Sequence, residues 1–128
     1  MLQSQAPRLL SILRIVTAFL FLAHGTQKLF GLPAGPTAPV LSLLWTAGVI
    51  ELVGGTLILI GLFTRPVAFI LAGEMAVAYF RVHNRANFWP LLNRGEVTVL
   101  YCFVFLYLAA AGGGAWSIDR LRSGGKKR

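Results

Sequence analysis

Nearly the whole chain falls into four apolar runs, and three of its four acidic residues, Glu51, Glu74 and Glu96, lie within them or at their edges. A helix crossing a bilayer needs about 20 mostly apolar residues. Four such helices take about 80 residues, which leaves short loops and two tails in a chain of 128. Hydrophobic residues make up 56% and charged residues 12%, against roughly 25% charged in a soluble domain. A short chain has too much surface for its volume to hide that many apolar side chains in a water-soluble core. The expected fold is therefore all-α: a polytopic membrane protein, an antiparallel four-helix transmembrane bundle. The apolar runs lack the period-two alternation of barrel strands.

Breakers delimit the spans. Pro7 suits a helix start, because its missing N–H costs little there. The first span runs about Arg8 to Phe30, and the Gly/Pro-dense segment 31–39 closes it. The second runs about 40–63, and the tight Thr64-Arg65-Pro66 link makes spans two and three antiparallel neighbours. The third covers about 66–82. The polar and aromatic segment 83–94 reads as an interfacial loop, and the fourth span covers about 95–111. Residues 1–114 thus form a transmembrane domain and 115–128 a basic juxtamembrane tail, with Trp116 as an interfacial anchor. Arg8 followed by Leu9–Ala23 has the look of a signal peptide, but no small-x-small cleavage site follows, so it reads as a retained span.

The net charge of +8 does not point to nucleic acid, since five of the twelve basic residues sit in the last nine positions. A basic tail after an apolar span faces the cytoplasm and anionic lipid. Cytoplasmic termini place Arg8, Arg14, Arg65 and the five tail residues inside, and Lys28, Arg81, Arg85 and Arg94 outside. Eight against four favours a multi-pass protein of the inner membrane with both termini cytoplasmic. The single cysteine, Cys102, excludes an internal disulfide, a C-x-x-C redox pair and a zinc cluster, and reads as a small buried hydrophobe. No metal-ligand spacing, nucleophile motif or haem attachment motif occurs.

The ionisable residues inside the spans carry the functional signal, because a charge at mid-bilayer costs about 2.5–3.5 kcal/mol or more and seeks a partner or a cavity. With about 1.5 Å of rise per residue, Arg14 lies about 9 Å from Arg8 and Glu74 about 12 Å from Pro66, which suggests a structural ion pair in the inner half. Glu51 stands about 21 Å above Arg65 and His24 about 24 Å above Arg8, with Lys28 one turn further out. Glu96 opens span four, level with Arg81 and Lys28. The expected polar pocket therefore comprises His24, Lys28, Glu51, Glu96 and Arg81. On span one, Arg14, Thr17, Ala18, Phe21, His24, Gly25 and Lys28 share one helical stripe. On span two, Ala47, Gly48, Glu51, Gly54, Gly55, Gly61 and Arg65 lie near one side, and small residues there let backbones approach. Such a pocket either locks the helices or binds a headgroup, a quinone or a proton-carrying ligand.

Four motifs in order resemble the DoxX family of bacterial membrane proteins: His24-Gly25-Thr26-Gln27-Lys28-Leu29-Phe30-Gly31 after Arg14, Glu51-Leu52-Val53-Gly54-Gly55 with Gly61-Leu62-Phe63-Thr64-Arg65, Arg94-Gly95-Glu96, and Gly112-Gly113-Gly114-Ala115-Trp116-Ser117-Ile118-Asp119. The resemblance extends over essentially the whole chain. It implies a four-helix bundle in the cytoplasmic membrane and a link to membrane oxidoreductases of thiosulfate, thiol or oxidative-stress chemistry, with quinone as the candidate cofactor. It also implies soluble redox partners for a subunit with no self-sufficient catalytic motif. The missing cysteine pair leaves no thiol–disulfide exchange within the chain. Two rival expectations stand beside this one: a scaffold that recruits soluble partners through its basic tail, and a small proton-linked transporter with an aqueous path through Arg14, Glu74, Glu51 and Glu96. The small-residue faces also permit a homo-oligomer.

Overall fold

The computed structural model describes residues 2–83, 89–90 and 95–123. Arg85, Arg94, Lys126, Lys127 and Arg128, used above in the charge argument, lie outside them. All regular structure among the described residues is helical. A 3₁₀ turn at Leu2–Gln5 leads into α1 (Ala6–Phe30), followed by α2 (Leu43–Ile60), α3 (Thr64–Ala78), α4 (Glu96–Ala111) and a short α5 (Ile118–Arg122). A wider π turn, Tyr79–His83, extends α3.

Local chemistry sets these ends. Pro7 sits in the first turn of α1, where no intrahelical N–H is lost. Ser42 starts α2 by accepting the Trp45 N–H through its hydroxyl at 3.1 Å, the usual N-cap role. Gly61, at φ 72°, closes α2, because a residue without Cβ takes the left-handed conformation freely. The second helix therefore stops three residues short of the expected Phe63. α1 with its leading turn and α2 are long and apolar enough to cross a membrane; α4 is apolar but shorter.

α1 packs chiefly on α2, and α3 on α4, with α2 against α3 joining the two pairs. The buried face of α1 holds Ser11, Arg14, Thr17, Ala18, Phe21 and Gly25, and that of α2 holds Gly48, Glu51, Gly54, Gly55 and Ile58. Both follow the expected stripes, except that His24 and Arg65 are exposed and Lys28 and Ala47 only partly buried. The apolar core gathers Ala18, Phe21, Ile58, Leu71, Phe105 and Leu108 from four helices. The pattern is inverted relative to a water-soluble protein. Arg14 and Glu51 are each 1% exposed, while Phe19, Phe69 and Phe103 are 68%, 65% and 63% exposed. Charges inside and large apolar side chains outside suit a molecule whose solvent is lipid.

The α1–α2 contact depends on missing side chains. A Cβ on Gly25 would lie 2.9 Å from the Leu52 backbone nitrogen and 3.1 Å from the Gly48 carbonyl oxygen. Backbone cannot rotate away, so overpacking there costs about 1–3 kcal/mol, against at most about 1 kcal/mol gained from alanine's helical preference. Gly73 is also helical but has open space around it. Gly25→Ala is expected to lower the unfolding midpoint in detergent and Gly73→Ala to leave it unchanged or raise it, as followed by circular dichroism.

Candidate functional site

Two polar centres occupy opposite ends of the molecule. The first forms where α1 meets α2 near the C-terminal end of α1. Lys28 reaches both carboxylate oxygens of Glu51, at 2.6 and 2.7 Å. The lysine is 20% exposed and the glutamate 1%. This is the one ion pair among the described residues, and it joins two residues expected to share a pocket.

The third member is Glu74. Both of its carboxylate oxygens are buried without a hydrogen-bond donor, and its charged neighbours are Glu51 and Lys28. The expected Arg14–Glu74 pair does not form. Arg14 reaches the Leu59 carbonyl in the last turn of α2, whereas Glu74 stands well up α3. Arg65 is a poor origin for measuring height along α2, because Gly61–Phe63 turn the chain and add no helical rise. Counted from Ile60, Glu51 lies about 14 Å up α2; counted from Thr64, Glu74 lies about 15 Å up α3. The two carboxyls therefore share a level. One turn below, a Cβ on Gly54 would meet the Leu71 side chain at 2.8 Å, in the same antiparallel register.

α4 contributes Tyr101, a residue the sequence reading passed over. It is 8% exposed, and Glu51 acts on it electrostatically. Its ring stacks on Phe105 with centroids 6.0 Å apart and meets the rings of Phe21 and His24 edge-on at 5.2 and 5.7 Å. A tyrosine among phenylalanines on an apolar helix gives little signal in one dimension. His24 itself lines a small hollow of about 220 Å³ with Gln27 and Pro33. Glu96 and Arg81 are exposed, and among the described residues neither forms an ion pair with Lys28 or with the other. Of the five residues expected to share a pocket, Lys28 and Glu51 pair and His24 lies near them, with Glu74 and Tyr101 beside the pair.

The second centre is built on Arg14. Its guanidinium donates to the Gly113 carbonyl, to Trp116 O at 2.8 Å and to Leu59 O at 3.4 Å. Leu59 belongs to the last turn of α2, whose free carbonyls form the negative end of the helix dipole. A buried cation is thereby solvated by backbone rather than by a carboxylate. Ser11 supports the same segment, donating to Gly113 O at 3.0 Å and accepting the Trp116 N–H at 2.9 Å. Asp119 then reaches the α2–α3 turn, where its two oxygens accept the N–H groups of Phe63 and Thr64, each at 2.8 Å. Its own N–H donates to Gly61 O at 2.9 Å. The start of the tail is docked on the helices, a feature that its basic composition did not announce.

Burial pushes the Asp119 carboxyl up, but hydrogen bonds from Thr64 and Phe63 and the nearby Arg122 more than offset this and hold it below the ordinary value. A depressed folded value means that the stabilisation is present above the unfolded pKa and lost as pH falls through the folded one. Asp119→Asn is expected to destabilise by about 0.5–2 kcal/mol at neutral pH, as for a lost cap. Thermal unfolding measured across pH 2–7 should show the difference from wild type vanish at the acid end. At the other centre, Lys28→Met leaves Glu51 buried beside Glu74 without its counter-charge. That is expected to cost about 3–5 kcal/mol, most of which returns on adding Glu51→Gln. A double-mutant cycle in detergent reads this coupling.

Comparison with known proteins supplies the family. The chain is 45% identical to an uncharacterised protein of Haemophilus influenzae over 125 residues, covering 92% of this chain and 93% of the relative. It is 27% identical to an uncharacterised membrane protein of Mycobacterium tuberculosis, covering 94% and 85%. It is 28% identical to a Bacillus subtilis protein named "Putative oxidoreductase CatD", covering 91% and 88%. No solved structure matches the chain. The family match covers residues 9–84, which hold Lys28, Glu51 and Glu74 but neither Glu96 nor the docked tail. On that match, over more than half of its length, the chain belongs to the DoxX family of membrane proteins.

Proposed function

We propose that the chain is a small membrane subunit of a redox system in which the Lys28–Glu51–Glu74 centre handles protons for a quinone. In this reading α1 to α4 each cross the inner membrane as an antiparallel four-helix bundle, with both termini cytoplasmic. The supporting observation is the buried Glu74 carboxyl, set beside a glutamate already paired with lysine and lacking a donor of its own. A centre that only locked helices together would pair its charges. Two carboxyls facing each other are two acceptors, and a proton held between them supplies the missing donor.

A quinone requires hydrogen-bond donors at its carbonyl oxygens and a proton source when it is reduced. Lys28 and His24 are the donors, and the carboxyl pair is the source. The hollow beside His24, about 220 Å³, is smaller than the roughly 300 Å³ and upward of ordinary ligand pockets. It suits a quinone ring whose tail stays in lipid. The chain has one cysteine and no cysteine pair, so electrons reach the quinone from a partner oxidoreductase, in keeping with the name of the Bacillus relative. Fully buried Phe21, Leu71 and Phe105 fill the space between the two polar centres, which favours this reading over a transporter with a continuous aqueous path.

The test is a titration of the detergent-purified protein with a short-chain quinone. Wild type is expected to bind, with Glu51→Gln and His24→Ala each weaker by about tenfold, the scale of one lost hydrogen bond to a charged group. Glu74→Gln is expected to retain binding and to lose the proton exchange that accompanies it, read by a pH-sensitive dye. Equal affinity in every variant, or no binding by wild type, overturns the assignment.

A further inference from the structure

A cavity of about 620 Å³ lies at the opposite end from Lys28, where α1 and α3 begin and α4 ends. Arg65, Arg120 and Arg122 line it, together with one acidic residue, Asp119. The Asp119 carboxylate is occupied by two backbone N–H groups. Among the described residues none of the three arginines forms an ion pair, and the Arg122 guanidinium sits 4.9 Å from the centre of the Phe63 ring. Three guanidinium charges against one carboxylate leave a surplus of two.

The remaining wall is apolar. Leu10 from α1, Pro66 from α3 and Tyr107 from α4 line the same space. The cavity also lies level with the ends of α1 and α2, the helices long enough to cross a membrane, and Trp116 at this end is 53% exposed, as an interfacial anchor would be. The cationic side is held in place. α5, which carries Arg120 and Arg122, is tied to the α2–α3 turn through Asp119, and Ser117 caps it by accepting the Arg120 N–H at 3.2 Å. A basic surface on a free tail attracts any anionic membrane; this one has fixed depth and an apolar wall beside it.

We propose that this cavity is a binding site for the phosphate headgroup of an anionic phospholipid, with its acyl chain along Leu10, Pro66 and Tyr107. Guanidinium groups suit phosphate through paired N–H donors, and the apolar wall favours a lipid over free phosphate. The inference is independent of the quinone reading, because no cavity residue belongs to the Lys28–Glu51–Glu74 centre.

The experiment is retention of lipid by the full chain, purified from mixed phosphatidylglycerol and phosphatidylcholine vesicles and measured by native mass spectrometry. Wild type is expected to retain phosphatidylglycerol in preference. At about fivefold per arginine near an anionic surface, Arg65→Gln alone should cut the preference about fivefold and the triple Arg65→Gln/Arg120→Gln/Arg122→Gln variant more than tenfold. Lys126→Gln/Lys127→Gln, which removes two charges of the basic tail, should leave it intact. Arg65 is exposed and holds no partner among the described residues, so its single variant keeps the test valid should the triple variant misfold. Equal retention of the two lipids by wild type overturns the proposal, as does an equal loss in Lys126→Gln/Lys127→Gln. Displacement of the bound lipid by millimolar inorganic phosphate would assign the site to the free anion instead and likewise overturn it.

Discussion

The Lys28–Glu51 pair constrains everything around it, because a carboxylate that is 1% exposed in an apolar setting has to keep its counter-charge within reach. That requirement fixes how α1 slides along α2. With Lys28 held against Glu51, Gly25 meets Gly48 and Leu52 backbone to backbone, and Gly55 lies under Leu22. Each of these contacts needs the absence of a Cβ at one position and the charge pair at another. In a lipid-like environment helices gain little from hiding apolar surface from one another. Close backbone approach and a directed ionic contact then carry the specificity that a hydrophobic core supplies in water.

The same logic solves the burial of Arg14 in another way. No carboxylate is within hydrogen-bonding reach, so the guanidinium draws carbonyls from the end of α2 and from the Gly113–Trp116 segment. A planar group with five donors can satisfy several acceptors at once. Gly113 can come this close because a Cβ there would fall 2.7 Å from Ser117. The chain after α4 is consequently drawn back across the first turns of α1, and Asp119 is delivered to the α2–α3 turn. The phosphate-binding cavity owes its shape to this return, since two of its three arginines ride on α5.

Much of the helical layout was readable in one dimension, and the reasons are particular. Pro7 and the Gly/Pro-dense segment 31–39 are strong end signals, and the stripe from Arg14 to Lys28 repeats at helical spacing. Which charges meet was harder to read. Lys28 and Glu51 were expected near one another, although the height given to Glu51 from Arg65, about 21 Å, overstates the roughly 14 Å it climbs from Ile60. The Arg14–Glu74 expectation failed because Arg8 and Pro66 do not lie level: Arg14 reaches the Leu59 carbonyl at the end of α2, while Glu74 stands about 15 Å up α3. Had the left-handed Gly61 been taken as the end of α2, Glu51 and Glu74 would have come out level. Glu96 and Arg81 illustrate a different limit: residues at a helix rim have a lipid–water interface to reach, and depth alone does not bind them to a partner. Asp119 was visible as a motif residue, but its role as an acceptor for the α3 N-terminus depends on the fold-back made by Arg14.

The two ends of the molecule thus spend charge differently, and the difference bears on what each can do. At the Arg14 end every strong interaction uses backbone carbonyls or backbone N–H groups, which neither gain nor lose protons near neutral pH. Such a centre holds geometry and presents fixed arginines. At the Lys28 end the interactions are between side chains, and the group in excess is a carboxyl. In lipid, an excess carboxyl without a donor is stable only in company with a proton. A molecule that merely needed to hold α1 to α2 could have placed leucine at position 74 and lost nothing of the Lys28–Glu51 contact. Glutamate there costs stability in a site already balanced, and proton exchange is the chemistry that an added carboxyl brings.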